Sequence, residues 1–460
     1  MLPTNLPPVR DMILQAEHWF PSARSVIARL RPTWRTTLPV VLSLGVLAAI
    51  PHTLHAEASA AEPQPTEAQA APPQVPPPPA VILASTTGDP ELPASAPKAP
   101  RVDLSHLRYD DGKAYAKADD GSEAELTIDP HVQQGVERLL RRAHPVRGAI
   151  VVTDTRTGKV VAVADATHDK PAGGRVAFGY AAPTASLFKM VTAAALLEHA
   201  HVSPKLRVCT DGGHRRIERK HLEPAKGPHA LCAPFWSALG HSRNAVFAQL
   251  ATRFLMRDQL AETAQRFGFN QDLPFSQKAV VGHTEIPYND LEFARTAAGF
   301  GDTQFTALGA AHAASIIAHA GRDSELTLVQ KWKGYQAPDD VQLGERRFKR
   351  STARLMRKMM ELTVSGGTSL EAFSRKDGMS YLPNIRVAGK TGTLKPTRKS
   401  PTTSWFVGFA PSRSPHVVVS VLLMNDDVWY YKANEVARDV LRLYYEKQPG
   451  VTNPFDADHD

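Results

Sequence analysis

The sequence predicts an α/β fold of the α+β type, with one antiparallel sheet built from both ends of the globular part and flanked by helices. Two strand-like runs, 148–154 and 159–165, come early in this part, and three more, 385–393, 404–410 and 416–424, come late. Helix-like segments occupy the region between the two groups. Strands from both ends of a domain around a helical middle favour a single antiparallel sheet.

Composition indicates a globular protein without a nucleic-acid partner. The 460 residues have room for two or three domains, and 42% apolar with 22% charged residues is ordinary for folded proteins. The net charge of +8 comes from scattered basic residues, so we interpret it mainly as solubility. The two cysteines fit no metal-binding pattern, and we predict no metal and no other cofactor.

The N-terminal region predicts export. Residues 1–35 carry five arginines and only two acidic residues, whereas residues 36–54 are uncharged and mostly apolar. The apolar core, 38–50, is 13 residues long and suits a signal peptide, but with its flanks the stretch reaches 19 residues, enough to span a membrane. Small residues at Ala56 and Ala58 suit a signal peptidase. The arginine-rich side should stay in the cytoplasm.

These features predict a single-pass protein of the inner (cytoplasmic) membrane with its catalytic part in the periplasm. Residues 1–35 would be a cytoplasmic tail, and residues 36–56 a transmembrane anchor or, alternatively, a cleaved signal. Residues 57–100 are rich in alanine and proline, so we expect a disordered, semi-rigid spacer. Residues 101–460 would form the catalytic domain, with its core at about 145–447.

The elements of this domain follow from periodicity and turn signals. Residues 103–127 are polar and show no clear period. A helix is predicted at 128–142, and Thr155 to Gly158 predict a hairpin turn between the first two strands. Residues 416–424 are apolar except for His416 and Ser420, so we expect this strand to be buried on both faces. Further helices are predicted at 245–255, 260–267, 291–298, 308–319, 352–364 and 429–445.

Ser186 and Lys189 open an apolar helix that continues to His199. Residues three apart lie on the same helical face, so the hydroxyl and the amine should be close. Burial lowers the pKa of a lysine and lets it accept a proton from serine. The motif alone is more often a solvated helix face, so its interpretation depends on the rest of the chain.

Cys209 and Cys232 lie in a polar, irregular region at 203–240, with 22 residues between them. Export would favour a disulfide that closes this loop, and the alternative is two free thiols.

Two further short motifs follow Ser186 and Lys189 in the same domain. Ser242-x-Asn244 precedes a helix-like run, and Lys390-Thr391-Gly392-Thr393 lies at the end of a strand-like run. Each is weak by itself, because serine is common at helix N-termini and Lys-Thr-Gly is common in turns. Their order on helix, loop and strand matches the motif set of penicillin-interacting serine enzymes.

On these motifs, residues 145–447 resemble the transpeptidase domain of penicillin-binding proteins, within the serine β-lactamase and D,D-peptidase superfamily. The segments 299–308, 366–368 and 405–411 also resemble family landmarks. Leu187 and Ala307 depart from the family pattern, which usually has threonine and proline there. The resemblance implies a serine-type peptidoglycan D,D-transpeptidase of cell-wall synthesis that binds penicillin covalently.

The resemblance also implies roles for the nucleophile and its neighbours. Ser186 would attack a D-alanyl-D-alanine carbonyl or a β-lactam to form an acyl-enzyme, with Lys189 as its base. Ser242 would relay a proton between Lys189, Lys390 and the departing group. Asn244 would hydrogen-bond the substrate amide and Lys189.

The third motif would bind the substrate. Lys390 supplies a positive field, and the hydroxyls of Thr391 and Thr393 would hold the substrate carboxylate. Gly392 would let the backbone approach the ligand closely. The backbone N–H groups of Ser186 and Thr393 would form the oxyanion hole.

Rival functions and partners remain open. A D,D-carboxypeptidase or a serine β-lactamase would use water as acceptor, and a non-catalytic β-lactam sensor or divisome scaffold would only keep the fold. We interpret Glu262 as a surface helix residue, since its surroundings lack the Glu-x-x-Asn pattern. Lys395, Arg398 and Lys399 would either attract anionic wall polymer or form a solvated hairpin tip. Expected partners are peptidoglycan stem peptides, β-lactams, the membrane and other cell-wall synthesis proteins.

Overall fold

A five-stranded antiparallel sheet organises the part of the chain that the computed structural model describes, which is residues 98–167, 175–426 and 428–446. Its strands are β4 (Arg147–Asp154), β5 (Val160–Thr167), β15 (Ala388–Leu394), β16 (Thr402–Ala410) and β17 (Val417–Asn425). The strand order is β15-β16-β17-β4-β5, so strands from the two ends of the domain meet where β17 pairs with β4. The predicted sheet is therefore confirmed.

The remaining strands form a second five-stranded sheet and three smaller ones. They are β1 (Val102–Asp110), β2 (Lys113–Ala118), β3 (Glu123–Leu126), β6 (Ala182–Pro183), β7 (Arg207–Thr210), β8 (Leu231–Pro234), β9 (His283–Thr284), β10 (Thr303–Phe305), β11 (Arg322–Ser324), β12 (Val329–Trp332), β13 (Tyr335–Gln336) and β14 (Leu343–Arg346).

Helices cover both faces of the sheet. They are α1 (Pro130–Ala143), α2 (Val176–Gly179), α3 (Lys189–Glu198), α4 (Phe235–Gly240), α5 (Asn244–Phe254), α6 (Arg257–Arg266), α7 (Asp290–Ala297), α8 (Ala307–Ala318), α9 (Arg350–Ser365), α10 (Leu370–Phe373) and α11 (Ala433–Glu446). Short 3₁₀ helices lie at Ala185–Phe188 and Arg219–His221.

Alternate residues of the central strands pack into two separate apolar clusters. In β4, Ile150 and Val152 face α1 and α11, while Ala149 and Val151 face the cluster that contains α3 and α8. Because both faces are covered, every residue of β17 is buried, as the largely apolar run predicts. The sheet is thus the middle of three layers, and α8 lies directly against it on the face that also holds α3.

The helix at the start of the domain begins close to its predicted position. Pro130 occupies the first turn of α1, and the side chain of Asp129 accepts hydrogen bonds from the backbone N–H groups of His131 and Val132. Proline and an N-cap aspartate are both favoured there. The closing helix differs more: it begins at Ala433 rather than at 429.

Residues 103–127, for which the sequence shows no clear period, form a three-stranded meander. β1, β2 and β3 pair in order, and β12 and β13 complete that sheet. In β2, Ala114, Ala116 and Ala118 are buried and alternate with lysine and tyrosine. The alternation has period two, but alanine has a low β-propensity and gives a weak signal.

The predicted tail at 1–35, the membrane segment at 36–56 and residues 57–97 of the predicted spacer (57–100) lie outside the described residues. Within the described residues, we find no helix that is both long and apolar enough to cross a membrane. The start of the globular part is held in place, because Gln277 donates to the carbonyl of Pro100 at 2.8 Å and accepts from the N–H of Val102 at 2.9 Å.

Candidate active site

The nucleophile candidate lies on a 3₁₀ turn that continues into α3. In a 3₁₀ helix, side chains at positions i and i+3 eclipse each other, so Ser186 and Lys189 are brought closer than a regular α-helix would bring them. The Nζ of Lys189 lies 2.6 Å from the Oγ of Ser186. Ala185, just before the serine, has a φ of 49°, a left-handed conformation that is rare outside glycine and recurs at functional sites.

Lys189 is completely buried and lacks an acidic partner among its hydrogen-bonded groups. Its Nζ also donates to the carbonyl of Ala298 at 2.7 Å, just beyond the C-terminus of α7. Burial, and then the nearby Lys390, lower the pKa of Lys189 well below its usual range. A lysine in this state can be neutral at physiological pH, so Lys189 can accept the Ser186 proton.

The second motif joins α4 to α5. Ser242 has a φ of 53°, and its Oγ accepts a hydrogen bond from the Nζ of Lys390 at 3.1 Å. Within the described residues, Ser242 has no bond to Lys189. The motif therefore forms two Ser–Lys pairs, Ser186 with Lys189 and Ser242 with Lys390, rather than the continuous relay expected from the sequence.

Asn244, the first residue of α5, differs from expectation in its partner. Its Nδ2 donates to the carbonyl of His214 at 2.6 Å, and no bond to Lys189 is present among the described residues. His214 belongs to the loop between β7 and β8, in which Cys209 and Cys232 face each other across the ladder and are joined in a disulfide. This loop therefore holds the side chain of Asn244.

The third motif lies on β15, the edge strand of the central sheet. Lys390 is fully buried, and its Nζ also donates to the carbonyl of Thr391 at 2.7 Å. Burial lowers the pKa of Lys390 to about 7. The positive charge expected at Lys390 therefore depends on pH, because near neutral pH its amine can hold or release a proton.

Glycines allow the third motif and a neighbouring loop to pack against the nucleophile turn. A Cβ added at Gly392 would lie 2.9 Å from the carbonyl oxygen of Thr184. A Cβ at Gly299 would lie 2.4 Å from the carbonyl oxygen of Ala185, and Gly299 has a φ of 88°. The close approach of Gly392 is thus to the protein itself, in addition to any ligand.

All three motifs meet at one cleft of about 850 Å³. Its lining includes five predicted site residues, while Lys189 and Lys390 are buried. Thr391 shares a hydrogen bond of 2.6 Å with the hydroxyl of Thr368. The cleft is lined by Ser186, His214, Arg215, Ser242, Asn244, Gly299, Phe300, Thr368, Glu371, Ala372, Thr391, Thr393, Leu394, Lys395, Thr402, Ser404, Trp405, Trp429, Lys432, Asn434 and Glu435.

Sequence reasoning missed two hydrogen-bond acceptors, the carbonyls of Ala298 and His214, and the cleft-lining residue Arg215. Ala298 and His214 act through backbone carbonyls, which no side-chain pattern reveals. Arg215 is one basic residue in a polar loop, and nothing in its neighbours distinguishes it from Arg216 before the loop is folded. The Gly-Gly pair at 212–213, just before His214, was the available hint of tight backbone packing.

The fold and the site together define a serine enzyme of acyl transfer, with a serine β-lactamase/transpeptidase-like architecture. A sequence profile of the penicillin binding protein transpeptidase domain matches residues 148–442, well over half of the chain. The chain belongs to this family, and the predicted resemblance is confirmed.

Curated relatives and solved structures agree with this assignment. The peptidoglycan D,D-transpeptidase PbpA of Mycobacterium tuberculosis is 26% identical over 341 residues, which are 66% of this chain and 68% of that protein. Stage V sporulation protein D of Bacillus subtilis is 26% identical over 345 residues, 69% of this chain and 52% of that protein.

Among solved structures, the D,D-transpeptidase domain of a peptidoglycan glycosyltransferase from Eggerthella lenta has a TM-score of 0.59 at 23% identity, covering 73% of this chain and 96% of that one. An imipenem acyl-enzyme complex of penicillin-binding protein A from M. tuberculosis has a TM-score of 0.58 at 22% identity, covering 70% and 79%. These structural likenesses concern the fold, and they confirm the predicted fold class.

The burial of Lys390 predicts a pH-dependent stability. Because its pKa falls from 10.5 to about 7 on folding, the unfolded chain binds this proton more tightly between those values. Below pH 7, the burial of the charged Lys390 therefore destabilises the folded state by its full amount. Between about pH 7 and pH 10.5, the free energy of unfolding rises as the pH increases. Lys390→Met should remove this part of the slope and add ~2 kcal/mol at neutral pH.

Urea unfolding of the wild type and Lys390→Met at neutral pH and at about pH 9 measures both effects. Lys399→Met, at an exposed position beyond β15, is the matched control and should keep the wild-type slope. An unchanged slope in Lys390→Met would contradict the assignment.

The disulfide predicts a linked effect on stability and acylation. The double variant Cys209→Ser/Cys232→Ser should lower the free energy of unfolding by about 3 kcal/mol, because a loop with 22 intervening residues is no longer closed. It should also slow acylation by a β-lactam, since the loop that holds Asn244 gains freedom. Urea unfolding and stopped-flow labelling measure the two effects, and wild-type protein treated with a reductant should reproduce them. Unchanged acylation in a destabilised variant would show that the loop positions Asn244 without the bond.

Proposed function

We propose that this protein is a peptidoglycan D,D-transpeptidase that forms an acyl-enzyme on Ser186 and binds penicillin covalently. The observation that carries the proposal is the 2.6 Å contact between the Oγ of Ser186 and the fully buried Nζ of Lys189. Membership of the penicillin-binding family, and relatives named as D,D-transpeptidases, support the reaction.

Acylation begins with Lys189 in its neutral form. Lys189 takes the hydroxyl proton as the Oγ of Ser186 attacks the carbonyl carbon of the D-alanyl-D-alanine bond. The C–N bond then breaks and leaves an ester on Ser186. The departing D-alanine nitrogen receives a proton from Lys390 through the hydroxyl of Ser242, to which Lys390 is already hydrogen-bonded.

Deacylation runs the same steps with a different acceptor. The amine of a neighbouring stem peptide attacks the ester carbonyl, loses its proton to the Ser242–Lys390 pair, and forms the crosslinking amide. The bond between the Oγ of Ser186 and the acyl carbon breaks, and the Ser186 hydroxyl recovers the proton held by Lys189. A lysine with a pKa of about 7 suits this work, because it gives and takes protons at neutral pH.

The edge strand β15 supplies the binding surface for the peptide. An unpaired edge can add an extended peptide as a further strand. Thr391 and Thr393, both in the cleft lining, present hydroxyls for the terminal carboxylate. The backbone N–H groups of Ser186 and Thr393 act as the oxyanion hole, and each such donor contributes about 3 kcal/mol to transition-state stabilisation.

The position of Glu262 disfavours a class A β-lactamase mechanism. Its side chain is 51% exposed on α6, forms an ion pair with Arg266 and lies 3.7 Å from the Nε2 of His199. Glu262 is not among the residues that line the cleft, so it does not position a deacylating water there. Among hydrolytic rivals, a D,D-carboxypeptidase fits the same site, and product analysis separates it from a transpeptidase.

We also infer the placement of the enzyme at the cell envelope. The arginine-rich residues 1–35 would stay in the cytoplasm, 36–56 would anchor the chain in the inner membrane, and 57–100 would serve as a spacer. The disulfide between Cys209 and Cys232 supports an oxidising compartment such as the periplasm for the catalytic domain. Association with other cell-wall synthesis proteins belongs to the same proposal.

Labelling with a fluorescent penicillin tests the acyl-enzyme. The wild type should be labelled covalently, and Ser186→Ala should lose about 10⁴-fold or more in labelling rate, because the nucleophile is gone. Ser203→Ala, at an exposed position away from the cleft, is the control and should be labelled like the wild type. Equal labelling of the wild type and Ser186→Ala would exclude the proposed nucleophile.

Product analysis tests the choice of acceptor. With a stem pentapeptide and an amine acceptor, a transpeptidase should yield the crosslinked amide together with free D-alanine. Hydrolysis alone, at any acceptor concentration, would identify a carboxypeptidase. Loss of both products despite penicillin labelling would favour a β-lactam sensor or a divisome scaffold.

The N-terminal segment is tested by fractionation of cells that express the full chain. An anchored protein should remain in the membrane fraction with its N-terminal sequence intact, because a 19-residue apolar stretch is long enough to span. A soluble protein that begins near residue 57 would instead identify a cleaved signal.

A further inference from the structure

The loop between β7 and β8, residues 211–230, forms one wall of the cleft and is held in place at several points. The disulfide closes its base. Ile217 is buried in a cluster with alanines of α5 and α7, and its carbonyl accepts from the Nε of Arg295 at 3.0 Å. Gln249 of α5 donates to the carbonyl of Glu223 at 2.9 Å. The backbone beside the cleft is therefore fixed.

Arg215 lies on this fixed loop, and its charge has no protein partner among the described residues. Its side chain is exposed and lines the cleft. Throughout the described part of the chain, we find no hydrogen bond or ion pair to its guanidinium. The neighbouring Arg216 differs, because it lies 3.9 Å from the carboxylate of Glu218 and does not line the cleft.

A second depression of about 460 Å³ extends the cleft on the side of Arg215. It shares four lining residues with the cleft, namely Arg215, Phe300, Leu394 and Lys395. The charged groups along it are the cations Arg215 and Lys395 and the carboxylate of Asp302, which accepts from Gln304 at 3.1 Å. Positive charge is thus in excess along the depression.

The direction of β15 places this depression upstream of the scissile bond. The strand runs from Lys390 towards Leu394, and a peptide added antiparallel to it runs the other way. If the terminal carboxylate lies near Thr391, the residues before the scissile bond lie beside Leu394 and Lys395. This step rests on the proposed function.

We propose that Arg215 is a specificity-determining residue that binds a carboxylate carried by the peptide donor upstream of its D-alanyl-D-alanine terminus. Arginine suits this role because its planar guanidinium is always charged and can form bidentate hydrogen bonds with a carboxylate. Lys395, the residue after β15, adds charge. The substrate class is therefore an acidic peptide donor, and a donor whose upstream carboxylate is amidated is a poorer substrate.

Two matched peptides test the proposal: an N-acylated Glu-D-Ala-D-Ala and its Gln counterpart, which differ by one carboxylate. The measurement is kcat/KM for D-alanine release, expressed as the ratio of the Glu peptide to the Gln peptide. The wild type should favour the Glu peptide by about tenfold, the effect of one hydrogen-bonded charge. In Arg215→Ala the ratio should fall to about one, and Arg215→Lys should retain part of the preference.

Arg216→Ala is the matched control, since it removes an equal charge from the same loop outside the cleft, and it should keep the wild-type ratio. A wild type without preference, an undiminished ratio in Arg215→Ala, or an equal loss in Arg216→Ala would each overturn the proposal. Benzylpenicillin acylation of every variant reports on the integrity of the site. If the wild type is acylated by benzylpenicillin yet releases D-alanine from neither peptide, the proposed D,D-peptidase function fails, and the inference fails with it.

Discussion

Two lysines buried in one site are the constraint on which the rest of this structure depends. Lys189 and Lys390 are both 0% exposed, and removing an ammonium group from water is unfavourable by several kcal/mol unless the proton leaves. Within the described part of the chain, neither has a carboxylate partner. The fold supplies neutral acceptors instead: the hydroxyl of Ser186 and the carbonyl of Ala298 for Lys189, and the hydroxyl of Ser242 and the carbonyl of Thr391 for Lys390.

The choice of neutral acceptors explains the chemistry. A carboxylate beside either lysine would stabilise its charged form and raise its pKa, and the amine would then be a poor base. Hydroxyl and carbonyl oxygens satisfy the donors without fixing the charge. The apolar character of α3, whose residues 189–197 are all buried, thus has a functional consequence beyond packing: it keeps water and counter-charges away from Lys189.

Two of the nine non-glycine residues with a left-handed backbone in the described part of the chain lie at the same two hydroxyls. Ala185 and Ser242 adopt left-handed conformations without being glycine, and such residues are less stable by about 1–3 kcal/mol than in relaxed geometry. Gly299 and Gly392 remove the Cβ atoms that would keep the neighbouring segments away from the nucleophile turn. The surrounding sheet and helices therefore hold Ser186 and Ser242 where local preference alone would not put them.

These features also mark the limit of what the sequence predicts. The central sheet was predictable because runs such as 416–424 are largely apolar, and the three motifs were predictable because their side chains carry the chemistry. The meander of β1 to β3 was not, since small alanines form its buried face. The division into two Ser–Lys pairs and the bond from Asn244 to His214 depend on backbone atoms brought together from distant segments. No pattern of side chains encodes such contacts.

The residues proposed to carry out the reaction and the residue proposed to select the donor differ in their burial. The groups that form and break bonds are buried, and a change at Lys189 or Lys390 alters both folding energy and pKa. Arg215 is exposed on a loop whose position is fixed independently, by the disulfide, by Ile217 and by Gln249. A side chain in that position can change without disturbing the lysines, because its charge lies in water and its backbone is held elsewhere. Donor selection can therefore change through substitutions in the loop between β7 and β8, while the groups that carry out acylation stay the same.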